Sequence, residues 1–135
     1  MRAVLDTNVL VSGILSPTGP PARIVEAALA GNLQPVFDPQ ILAEYEDVLA
    51  RPELGLPPPV VARILAVFES FGLEVVAAPW PLELPDADDG SFLAAADAAK
   101  CVLVTGNLRH FPARARRGVF VLSPRELVEA LKRLP

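Results

Sequence analysis

The chain is poor in the residues that would signal several common chemistries. It has one cysteine, one histidine, one tryptophan, one tyrosine and one methionine in 135 residues. A lone Cys101 in an apolar run offers no disulfide framework, and the reducing cytosol is the compartment expected from it. With only His110 to join it, no zinc tetrahedron of cysteine and histidine is available. Apolar runs stop short of the ~18–20 residues a membrane span needs, and no basic stretch precedes an apolar one as in a secretory leader. A cytoplasmic protein with no membrane association is therefore expected. Few aromatics, six of them phenylalanine, argue against a broad base-stacking platform.

What is present points to one folded domain. Hydrophobic residues make up 52% of the chain and mean hydropathy is +0.40, which excludes intrinsic disorder. The length suits a single domain over residues 1–135. Charge is unevenly placed. Residues 1–99 hold 4 basic and 14 acidic side chains, residues 100–135 hold 8 and 2, and the total is −4. An acidic centre beside a basic flank is a footprint for a polyanion held through metal ions.

The pattern alternates strands with helices. Arg2 to Asp6 is an apolar run ending in an aspartate, and Thr7 to Leu15 starts on capping residues and continues at helical spacing. Ser16 to Pro21 breaks that helix, and Pro21 to Ala30 forms the next, stopped by Gly31. A strand over Leu33 to Phe37 is followed by Asp38-Pro39 and a helix over Gln40 to Ala50. Pro57 to Phe71 is helical, and Glu74 to Val76 is a short strand. Beyond a proline-rich loop, Asp89 is placed to cap a helix over Gly90 to Lys100. Strands at Cys101 to Thr105 and Gly118 to Leu122 precede a final helix opened by the capping box Ser123-Pro-Arg-Glu126. Such alternation implies an α/β fold with a parallel sheet covered on both faces. Ligands of these folds bind beyond the carboxyl ends of the strands. Asp6 and Thr105-Gly-Asn107 fall at such ends, and Asp86, Asp88 and Asp89 precede the helix that feeds the second one. One cleft lined with carboxylates is expected.

Four segments carry a family resemblance: Val4-Leu-Asp-Thr-Asn-Val-Leu-Val-Ser12, Leu42-Ala-Glu-Tyr-Glu-Asp-Val-Leu49, Asp86-Ala-Asp-Asp-Gly-Ser-Phe-Leu93 and Val102-Leu-Val-Thr-Gly-Asn-Leu-Arg-His-Phe111. Together, in this order, they resemble the PIN domain family, and within it the VapC-like toxins of toxin–antitoxin pairs. The resemblance runs from Met1 to about Leu122. It implies a PIN-like three-layer α/β/α sandwich with a central parallel sheet, a divalent metal site (Mg²⁺ or Mn²⁺) and hydrolysis of RNA phosphodiester bonds. By position, Asp6, Glu44 and Asp89 match the acidic metal ligands, and Asn107 stands where many members have a fourth aspartate. That exchange removes a negative charge and bears most on a second metal. It also implies an antitoxin partner and a homodimer or larger assembly.

The chemistry asks for the same residue types. Hydrolysis of an anionic diester concentrates charge on phosphoryl oxygens, and hard divalent ions offset it while lowering the pKa of bound water. Such ions take oxygen ligands, hence Asp and Glu. Asn8, Ser12 and Thr105 are expected to orient the carboxylates, although each also suits a cap or turn. Glu46 and Asp47 compete with Glu44, and Asp86 and Asp88 with Asp89. Asp97, polar amid alanines two turns on, is a weaker candidate. Arg109, His110 and Arg114, with Arg116 and Arg117, form a basic segment for RNA phosphates or a solvated turn. The Pro57 to Phe71 helix carries Val60, Val61, Ile64, Leu65, Val67, Phe68 and Phe71, more than one narrow face, so part of it is expected at an oligomer interface. The rival from another class is a catalytically weak PIN-like RNA-binding or interaction module. Aspartyl phosphatase chemistry is disfavoured, because Asn8 replaces the second carboxylate of an Asp-x-Asp pair.

Overall fold

The structure, a computed structural model, describes residues 1–134. Five strands, β1 (Arg2–Leu5), β2 (Gln34–Phe37), β3 (Leu73–Glu74), β4 (Val102–Val104) and β5 (Val121–Leu122), form one parallel sheet in the order β3-β2-β1-β4-β5. Six helices cover it: α1 (Thr7–Leu15), α2 (Pro20–Leu29), α3 (Pro39–Leu49), α4 (Pro58–Phe71), α5 (Gly90–Ala99) and α6 (Pro124–Lys132). Parallel strands joined by crossovers must be buried on both faces, which is why β1 is a continuous apolar run; Ala3, Val4 and Leu5 are fully buried.

The chain moves from β1 outward to β2 and β3, then returns to the other side of β1 with β4 and β5. Strand order therefore reverses between β1 and β4, whose register pairs Leu5 with Val104. Helix α1 leaves β1 there while β4 runs into 3₁₀ turns, and the carboxyl ends of the two strands mark the place where folds of this kind form a crevice. α5 lies across β1, β2 and β4 with α3 beside it, while α2 packs between α1 and α6. Tyr45 of α3 meets Phe68 of α4 edge-on, ring centroids 5.5 Å apart, and Phe37 of β2 completes that aromatic group.

Local chemistry sets most helix ends. Asp38 accepts the Ile41 N–H at 2.8 Å and Pro39 takes the first turn of α3. The Ser123–Glu126 capping box forms as expected, with bonds of 2.9 and 3.2 Å. Two expected caps differ in detail. Asp6 caps α1, because β1 turns into the helix without an intervening residue. Asp89 stands at the N-cap position of α5 but its side chain makes no capping bond; it ends a 3₁₀ turn, Ala87–Asp89, that runs straight into α5 and is itself capped by Asp86. The strand expected at Glu74 to Val76 lies at Leu73–Glu74. β2 ends at Phe37, whose carbonyl takes the Val75 N–H at 2.8 Å, so Val76 has no partner and is 93% exposed.

Candidate active site

Asp6 stands at the carboxyl end of β1 and Thr105 at that of β4, on adjacent strands. Both are buried. The Thr105 hydroxyl donates to Asp6 Oδ2 at 2.8 Å, and the Asn8 side-chain amide donates to the same oxygen at 3.3 Å. Each of these groups is held in turn: the Gly106 N–H donates to Asn8 Oδ1 at 3.0 Å and the Asn107 N–H to Thr105 Oγ1 at 3.0 Å. Asp6 is thus fixed by a chain of bonds linking the two strand ends. Burial raises its carboxyl pKa, and the bonds from Thr105 and Asn8 pull the other way.

Glu44 enters from α3 and accepts a bond from the Thr7 hydroxyl. Its pKa is raised by burial and by the charges of Asp6, Asp86 and Asp88. Asp89 enters from the start of α5. Burial, with Asp6, Asp86 and Glu44 near it, lifts its carboxyl to about 6. His110 Nδ1 lies 3.2 Å from Asp89 Oδ2, near enough for an ion pair but out of line for a hydrogen bond, and that buried oxygen has no hydrogen-bond donor. Mutual repulsion among Asp6, Glu44 and Asp89 identifies them as one electrostatic cluster. Among the described residues, no three Asp, Glu, His or Cys side chains converge closely enough to hold one ion as they stand.

The other expected residues divide. His110, expected to face RNA phosphate, is partly exposed and lies against Asp89. Asn107 brings its backbone N–H to the network. Ser12 is exposed on α1, in a groove shared with Thr7, Asn8 and Val48, without a side-chain bond to Asp6. Asp97 pairs with Lys100 at 3.2 Å, and Asp47 with Arg51 at 3.0 Å, both away from the cluster. Arg109 is exposed; Arg114 donates to the Glu83 carbonyl at 2.9 Å and Arg116 to the Phe111 carbonyl at 2.8 Å. Arg117 sits over Trp80, 5.7 Å from the ring centroid. Thr7 was missed by the sequence reading, which treated it as a cap; its place directly after a strand-end aspartate was the available signal.

The donor set decides what the cluster suits. Three carboxylates from three elements, with raised pKa values and one buried oxygen lacking a donor, form an oxygen-only donor set of the kind hard cations take, although they do not converge on one ion position as they stand. Residues 2–109 match the family model of the PIN domain. The chain belongs to the PIN domain family. An uncharacterized protein of Methanocaldococcus jannaschii is 27% identical over 110 residues, spanning 79% of this PIN domain chain and 71% of that protein. Two solved structures share its fold. FitAcB from Neisseria gonorrhoeae superposes with a TM-score of 0.57 at 20% identity, covering 91% of this chain and 98% of that one. VapBC2 from Rickettsia felis, bound to a DNA fragment from their promoter, gives 0.56 at 18% identity, with 91% and 98% covered.

Proposed function

We propose that this PIN domain is a metal-dependent endoribonuclease, the toxin of a toxin–antitoxin pair. The observation that carries the reading is the carboxylate cluster at the strand-order reversal, where Asp89 Oδ2 is buried without a hydrogen-bond donor. Asp6, Glu44 and Asp89 would hold Mg²⁺ (or Mn²⁺), with Asn107 a neutral further ligand. A bound ion there would supply charge neutralisation of the diester and a more acidic water. The protein's own groups do the positioning. Thr105 and Asn8 hold the Asp6 carboxylate in one orientation, and Thr7 does the same for Glu44. His110 places an imidazole beside Asp89. Arg109, His110 and Arg114 lie on the segment that follows Asn107, and its two arginines offer charge to the RNA backbone. Without an ion the cluster repels phosphate, so cleavage should require one.

The same reading makes residues 1–135 one PIN domain, working in the cytoplasm, with an antitoxin that covers the cleft and a homo-oligomer as its assembly. Among the described residues no helix is long and apolar enough to cross a membrane. A neighbour of the same fold in complex, VapBC2, supports the antitoxin partner. The rival reading, a catalytically weak RNA-binding or interaction module, draws on Asn107 in place of a carboxylate. One experiment separates them. Cleavage of a mixed-sequence RNA is followed with Mg²⁺, with Mn²⁺ and with chelator. Asp6→Asn and Asp89→Asn should each cost on the order of a hundredfold or more in rate, as expected for groups at reacting charge. Glu46→Gln should matter far less than Glu44→Gln, since Glu46 is exposed. RNA bound but uncut in every metal would favour the module.

A further inference from the structure

A cavity of about 620 Å³ adjoins the carboxylate cluster, within the range typical of small-molecule sites. It is lined by Gln40, Ile41 and Glu44 of α3, by Ser91 of α5, and by Trp80 and Glu83 of the proline-rich loop. Ser91 donates to Gln40 Oε1 at 2.8 Å, which pins the two helices and leaves the Gln40 amide nitrogen without a protein acceptor among the described residues.

Charge sorts what can enter. Asp38, Glu44, Glu83 and Asp88 line the cavity, and among the described residues no lysine or arginine does. A phosphate is repelled from such a space. Arg114, bonded to the Glu83 carbonyl at 2.9 Å, puts positive charge on the neighbouring segment, outside the cavity. Phosphate and base are therefore directed to different places: the backbone to the arginine segment, and a flat, neutral group with N–H donors at its edge to the acidic, partly apolar cavity.

Resting on the ribonuclease reading, we infer that this cavity is a base subsite that selects guanine. Of the four RNA bases, guanine alone presents a ring N–H beside an exocyclic amine, two donors spaced for one carboxylate. Uracil flanks its N–H with carbonyl oxygens, and adenine and cytosine set a lone pair beside their amine; a carboxylate repels both patterns. Glu83 is the carboxylate for this task. It is exposed on the loop and its side chain is unbonded among the described residues, whereas Asp38 caps α3, Glu44 belongs to the cluster, and Asp88 sits in the 3₁₀ turn beside that cluster, its charge bearing on Glu44. The free Gln40 amide N–H is the matching donor for guanine O6.

Trp80 is the only tryptophan in the sequence and lines the cavity, so its fluorescence reports occupancy. The four nucleosides are titrated into the full chain in chelator; lacking phosphate, they do not engage the arginines. Guanosine should quench Trp80 saturably and bind about tenfold more tightly than the other three, and Glu83→Gln or Gln40→Ala should each erase that preference. Cleavage by the same proteins should map beside guanines in the wild type and lose that bias in both variants. Equal quenching by all four nucleosides, or none at about 10 mM, would overturn the subsite even if RNA is cut. Selective guanosine binding by a protein that cuts no RNA would uphold the subsite and remove the ribonuclease reading instead.

Discussion

Asp89 shows how burial and charge combine at a single residue. Its carboxyl titrates at about 6 in the folded chain, against an ordinary 3.8, because ionising it costs desolvation and repulsion from Asp6 and Asp86. Asp6 and Glu44 are shifted in the same direction. The sign follows from linkage: a carboxyl raised by folding contributes stability that is complete below 3.8 and is lost as pH rises through about 6. In chelator, the melting temperature of the wild type should therefore fall relative to that of Asp89→Asn over this window. Adding Mg²⁺ should reverse the trend at the upper end, since an ion bound only by the native state stabilises it. Calorimetry of both proteins across the window, with and without the ion, checks this. An unchanged wild-type-to-variant difference would show that Asp89 ionises freely. Thr7 and His110 belong to this scale as well. Their roles are set by partners 37 and 21 positions away, numbers that no local pattern contains.

Elements are joined at a few places where only glycine fits. Gly72 ends α4 and leads into β3; a Cβ there would lie 2.4 Å from the Phe68 carbonyl oxygen and 2.9 Å from that of Pro35. Both atoms are backbone and neither can give way without unpairing the helix end or β2. Gly72→Ala should cost about 3 kcal/mol by overpacking. Gly31, after α2, has open space around it but a φ of +81°, so Gly31→Ala meets only the left-handed penalty of about 1 kcal/mol. Urea denaturation of the two variants measures the contrast. Equal losses would mean that the α4–β3 junction relaxes. Helix ends with side-chain caps, such as Asp38 and Ser123, were legible in sequence because the cap and the backbone N–H that donates to it are neighbours. The edge strands β3 and β5 were legible in place but not in extent, because an edge strand ends where its partner ends.

At the scale of the whole molecule, α4 buries Ile64 and Phe68 against the core and leaves Val60 41% and Phe71 38% exposed. The stripe is thus occupied within the chain at its middle and partly free at its two ends. We predict a homodimer in sedimentation at about 50 µM, a concentration at which modest interfaces are populated. Val60→Glu should shift it to monomer without loss of secondary structure, because Val60 lies outside the core. A monomeric wild type would remove the oligomer from the proposed function and leave the cleft chemistry intact.

The sequence by itself determined what short-range chemistry can encode. Apolar runs ended by polar residues placed β1 and β4, and proline with a capping acid placed the start of α3. Four ordered motifs named the family that residues 2–109 match. Only the tertiary structure decided which residues meet. It put Thr105 on Asp6 across 99 positions, buried Asp89 at the end of a 3₁₀ turn without a capping bond, and drew Arg114 onto the loop that lines the cavity. The reason is that periodicity and capping act over a few residues, whereas burial, repulsion and hydrogen-bond partnership depend on distances that the order of strands in the sheet creates.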